Sequence, residues 1–105
     1  MKKNKLHQGI IQVHTTKAPV VEVDSEAHAA YVRFSTKKVA KTVPVTTDRC
    51  IVTIDFDAAD EIIGVELIGV DEFGVGPLMQ KAGITAPKAV LDRTKYVSAS
   101  QPIAA

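Results

Sequence analysis

The sequence predicts an α+β domain: an antiparallel meander of about five strands folded as hairpins, with one face covered by two short C-terminal helices. Three observations lead there. Residues 50–67 alternate apolar and polar with period two on both sides of an acidic turn. A second stretch, about residues 20–34, repeats that arrangement. Only the C-terminal third has helical spacing, bounded by proline and glycine.

The chain has 105 residues and a formal net charge of +1. That length is one domain, able to bury about two-thirds of the surface its unfolded form exposes. A charge so near zero gives no global field drawing the protein to nucleic acid or to a membrane. Cys50 is the single cysteine and falls on an inward position, so a buried thiol is expected, not a disulfide. No signal-peptide pattern follows the basic start, and no run approaches the roughly 20 apolar residues of a membrane span. The expectation is a cytoplasmic, bacterial-type protein.

Residues 1–18 read as a basic N-terminal arm carrying Lys2, Lys3 and Lys5, with a short strand at Gly9–Val13. Residues 19–97 form the domain, and residues 98–105 a tail. In the first hairpin Val21, Val23, Val32 and Phe34 share one face, and a four-residue loop at 24–27 sets Val21 opposite Ala30. Val39, Val43 and Val45 form the inward face of a third segment. A loop at 46–49 then places Val45 opposite Cys50 and Val43 opposite Val52. Pro44 cannot donate to a ladder, so this strand lies at an edge or carries a bulge, with Pro44 turned outward.

In the central hairpin Val52, Ile54 and Phe56 face the same way as Ile63, Val65 and Leu67. A loop at 57–60 sets Ile54 opposite Ile63, Val52 opposite Val65 and Cys50 opposite Leu67. Asp24 corresponds to Asp57, Val32 to Val65 and Phe34 to Leu67, an offset of 33 positions. After the strands, Gly76–Gly83 predicts a short helix with Pro77 in its first turn and Gly83 closing it. Thr85-Ala86-Pro87 opens a second helix to about Lys95, with Val90, Leu91 and Thr94 toward the sheet.

The run Asp24-Ser25-Glu26-Ala27-His28-Ala29-Ala30-Tyr31-Val32-Arg33-Phe34 resembles a small, largely bacterial family known as a domain of unknown function, number 2283. Its first hairpin reads roughly D-x-E-A-D-A-x-Y-I/V-x-L/F. Three later stretches fit it: Thr42 to Val45, Ile51 to Asp57, and Ile62 to Ile68. The resemblance spans about residues 20–70. His28 departs from it, standing where the family more often has Asp. It implies a compact β-rich domain and supplies no activity, cofactor or catalytic residue.

Several tempting sites have simpler explanations. From Asp55 onward, acidic residues occupy positions one, three and twelve of a calcium-loop pattern, but Asp60 stands where a turning glycine is needed. A hairpin turn with solvated carboxylates is preferred. His7, His14 and His28 do not supply three or four converging zinc ligands with one cysteine. His28 would serve as a pH switch only if paired with Asp24 or Glu26. Gly74-Val75-Gly76-Pro77 precedes a helix N-terminus that can hold an anion, though a loop–helix join also explains its glycines. No nucleophile elbow, P-loop or dinucleotide fingerprint is present, so no catalytic residue, metal or cofactor is assigned; the leading reading is non-enzymatic, with an enzyme of unknown type third.

The wet face of the hairpins carries Tyr31, Arg33 and Glu66, with Glu22 and Asp55 nearby; these are the candidate binding residues. Cross-strand charge pairing would account for the same side chains. The function expected is a protein-interaction or structural module, its partner a second copy or another protein. A nucleic-acid-associated, antitoxin-like role is the alternative, resting on Lys2, Lys3, Lys5, Lys37, Lys38 and Lys41 as a basic patch.

Overall fold

A computed structural model describes residues 11–13, 17–45 and 50–98. Its centre is a six-stranded sheet: β2 (Val20–Asp24), β3 (Ala29–Arg33), β4 (Lys41–Pro44), β5 (Ile51–Phe56), β6 (Ile62–Ile68) and β8 (Lys95–Ser98). A two-residue strand, β1 (Ile11–Gln12), pairs in parallel with β7 (Ile84–Thr85) to one side. Two helices, α1 (Val75–Ala82) and α2 (Lys88–Leu91), complete the α+β fold.

The strand order, β4-β5-β6-β3-β2-β8, is not a meander. The first hairpin, β2–β3, lies against β6, the last strand of the second, and β4 comes at the far edge. The connection at 34–40 therefore passes the ends of β6 and β5. The Phe34 and Ser35 N–H groups donate to the Ile63 carbonyl, and the Ala40 N–H donates to Phe56. Joining the hairpins this way places β3 and β6 in the middle, where each is paired along both edges. Proline-bearing β4 lies at the edge, as its missing donor requires.

Every hairpin keeps its expected faces and changes its register by one full pleat. Val21 pairs with Val32, not Ala30; Ile54 pairs with Val65, not Ile63; Val52 pairs with Leu67, not Val65. Val43 pairs with Ile54, not Val52, and the Val45 N–H reaches the Val52 carbonyl. The first turn occupies Ser25–His28 because Asp24 still pairs with Ala29, and its side chain holds the turn by accepting from the Ala27 N–H at 3.1 Å. The second turn includes a register shift between Asp55 and Phe56. The 46–49 loop lies outside the described residues.

The buried face collects Val21, Ala30, Val32, Val52, Ile54, Val65 and Leu67, all at most 3% exposed. Its cover comes mainly from α1, whose Val75, Leu78, Met79 and Ala82 recur at the three- and four-residue spacing of one helical stripe. Gly83 closes this helix at φ 71°, a left-handed position that a side chain disfavours. Val13, just after β1, and Ile84 of β7 extend the cover.

Two expectations fail here. The third segment does not bury a valine face: Val39 is 45% and Val45 37% exposed, because an edge strand beyond the reach of α1 has nothing above it. The second helix ends at Leu91 instead of Lys95, and Lys95–Ser98 forms β8, parallel to β2. The β2 edge would otherwise leave its main-chain groups unpaired, which outweighs four more residues of helix. Among the described residues no helix is long and apolar enough to cross a membrane.

Candidate binding face

The opposite face of the sheet carries no layer of described residues. Strand alternation sets Glu22, Tyr31, Glu66 and Thr53 in one row across β2, β3, β6 and β5. The next row runs Val20, Arg33, Gly64, Asp55 and Thr42 from β2 to β4. Tyr31, Arg33 and Glu66, the residues singled out from sequence, thus lie together, and the structure adds the contacts that order them.

Tyr31 leans diagonally across β6 and donates its hydroxyl to Asp55 Oδ2 at 2.7 Å. Asp55 Oδ1 accepts from the Thr42 hydroxyl at 2.6 Å. On the other side the Arg33 guanidinium lies 4.9 Å from the Tyr31 ring centroid and donates through Nε to Glu22 Oε2 at 2.9 Å. One continuous polar array therefore ties together four strands, β2, β3, β5 and β4, passing over β6. Gly64 makes it possible: a Cβ there would overlap the Tyr31 ring and hydroxyl. A glycine inside a strand pattern signals such a close approach, and that was the available clue to Gly64. Thr42 carried no comparable signal.

Burial and the Asp55 carboxylate both disfavour the phenolate, so Tyr31 titrates well above the ordinary tyrosine range. Glu66, opposite Tyr31, is exposed and makes no ion pair or hydrogen bond among the described residues. With Glu22, Asp24, Ala29, Ala30, Tyr31 and Arg33 it lines an open depression of about 300 Å³. Three carboxylates against one guanidinium make this local surface acidic, although the chain as a whole is near neutral. Its chemistry suits a cation or a hydrogen-bond donor; no nucleophile with a base beside it lines the depression.

The other side chains weighed from sequence have separate partners. Asp57 Oδ1 accepts from the backbone N–H groups of Ala59 (2.8 Å) and Glu61 (3.0 Å), closing the β5–β6 turn. Those donors, the Glu61 N–H foremost, hold its carboxyl below the usual range against the opposing effect of burial. Asp60 pairs with Lys41 at 3.2 Å. The acidic run is thus divided between the outer face, the turn backbone and the β4 edge.

His28 pairs neither with Asp24 nor with Glu26 but with Asp71, Nδ1 to Oδ1 at 2.9 Å. His7 and His14 lie outside the described residues, as do Lys2, Lys3 and Lys5. At the N-terminus of α1, the Val75 N–H donates to the Tyr96 hydroxyl at 2.9 Å, so the tyrosine caps a helix whose N-cap residue is glycine. Cys50 is buried.

Residues 21–70 match the family model described as "Protein of unknown function (DUF2283)", which spans β2 to β6 and so contains the whole polar array. No curated protein and no solved structure matches the chain.

Proposed function

We propose that this chain, whose residues 21–70 belong to the DUF2283 family, is a non-enzymatic protein-interaction module that presents its uncovered sheet face to a partner protein. The observation that carries this reading is the ordered acidic depression around Tyr31, Arg33 and Glu66. Side chains already fixed by cross-strand bonds lose little further entropy on binding, which favours association. The partner that fits supplies lysine or arginine from an extended segment. One such side chain reaches Glu66 while its stem lies along Ala29.

A nucleic-acid role has less support. The outer face would repel phosphates, and two of the lysines expected to form a basic patch are near carboxylates, Lys41 with Asp60 at 3.2 Å and Lys37 with Asp57 at 4.0 Å.

Titration of the isotope-labelled protein with a short oligolysine peptide, followed by NMR, tests the reading. Shifts centred on Tyr31, Arg33 and Glu66, weakened by salt and lost in Glu66→Lys, are expected. Perturbation confined to another surface, or none, would refute it.

A further inference from the structure

We propose that the basic N-terminal arm folds back over the outer face of its own sheet and screens the acidic depression from other cations. The arm thereby regulates the site described above by occupying it, and its role rests on that reading.

Charge is sorted along the chain. Lys2, Lys3 and Lys5 stand within residues 1–10, a stretch with no aspartate or glutamate. Those three charges exceed the formal net charge of +1, so the remaining residues are net acidic. On the outer face Glu22 already holds Arg33, and Asp24 accepts from its own turn. Glu66 is exposed beside them and is the carboxylate left to an incoming cation. Residues 99–105 follow β8, at the border of this face, but carry no charged side chain. Charge complementarity therefore selects the arm over the tail.

The arm also has the length. It joins the described chain at β1, and Val13, just after β1, shares a depression with Phe34, Ser35, Ile62 and Ile63. Its root is thus at the end of β3 and β6 that carries Arg33 and Gly64 on the outer face. Passing around that end from the covering layer to Glu66 takes roughly 20–25 Å, given about 10 Å between packed layers and about 3.3 Å per strand residue. Lys5 stands six residues before Ile11 and Lys2 nine. Extended chain converts those spacings to roughly 20–32 Å. Tethering holds the lysines near the face at an effective concentration in the millimolar range. Each contact is an exposed ion pair, weak by itself and screened by salt, so a more basic partner displaces the arm.

Amide spectra of the isotope-labelled full chain, with no peptide present, test the contact. At about 20 mM salt, combining Lys2→Gln, Lys3→Gln and Lys5→Gln should shift the Tyr31, Arg33 and Glu66 amides relative to wild type. At about 0.5 M salt the two spectra should coincide there. Glu66→Gln should in turn shift the amides of Lys2, Lys3 and Lys5. In the oligolysine titration at low salt the triple variant should bind about threefold to tenfold more tightly, since no arm has to be displaced. Unshifted face amides in the triple variant, or shifts confined to another surface, would overturn the proposal and leave oligolysine binding to stand. Face shifts that grow with protein concentration would seat the arm on a second copy and overturn it too. If the arm substitutions shift the face but oligolysine does not bind, the arm contact stands and the partner reading falls.

Discussion

Val32 and Val65 face each other at the β3–β6 junction, and they are also the residues that correspond when the first hairpin is laid on the second. Equivalent residues paired antiparallel lie on a local two-fold axis. The registers agree with this: Val20 with Arg33, Val21 with Val32 and Glu22 with Tyr31 correspond to Thr53 with Glu66, Ile54 with Val65 and Asp55 with Gly64. The symmetry breaks at the turn of the second hairpin, where Phe56 pairs with Ile62 after the register shift.

That axis makes Tyr31 and Gly64 equivalents, and the ring of one fills the space the other's side chain would need. Two tyrosines cannot both lie across the junction. Gly64→Ala should therefore cost about 1–3 kcal/mol by overpacking. In a Tyr31→Ala background the same change should cost much less, a coupling measurable by a double-mutant cycle in urea. Equal costs in both backgrounds would mean that Tyr31 does not occupy this space.

Tyr31→Phe removes the hydroxyl that donates to Asp55 and should cost about 1 kcal/mol at neutral pH. Because folding raises the Tyr31 pKa, the wild-type hydroxyl contributes fully below the unfolded value near 10 and loses its contribution as pH rises toward the higher folded value. Urea unfolding should show wild type and Tyr31→Phe converging above pH 10.

Asp57→Ala removes the acceptor for two turn N–H groups and should destabilise the protein at pH 7. The folded-state pKa of Asp57 is lowered, so its contribution is complete above the ordinary carboxylate range and lost as pH falls through the folded value. The gap between wild type and Asp57→Ala, read from urea midpoints, should narrow from about pH 5 downward. A gap that stays constant to pH 2 would mean that the carboxylate charge is irrelevant to the turn.

Two aliphatic truncations should separate core from edge. Leu78 is fully buried under the sheet, so Leu78→Ala should cost about 2–5 kcal/mol. Val39 is 45% exposed, so Val39→Ala should stay within about 0.5 kcal/mol. Comparable losses at the two positions would place Val39 in a core.

By itself the sequence determined which residues of the two hairpins face inward, that Pro44 marks an edge or a bulge, that Asp24 and Asp57 begin turns, and that a helix runs between Pro77 and Gly83. Each is local: a two-residue period, a missing donor, a side chain bonding to its own turn, a permissive backbone. It also placed Tyr31, Arg33 and Glu66 on one face for the same reason. Tertiary structure decided the registers, since a slip of one full pleat returns every side chain to its face and leaves the alternation unchanged. It decided that β3 lies against β6, that Lys95–Ser98 completes the β2 edge, and that Tyr31 crosses Gly64 to Asp55. Those choices depend on which distant strands satisfy each other's main-chain groups and on the space left between side chains, and a period read along one strand carries neither.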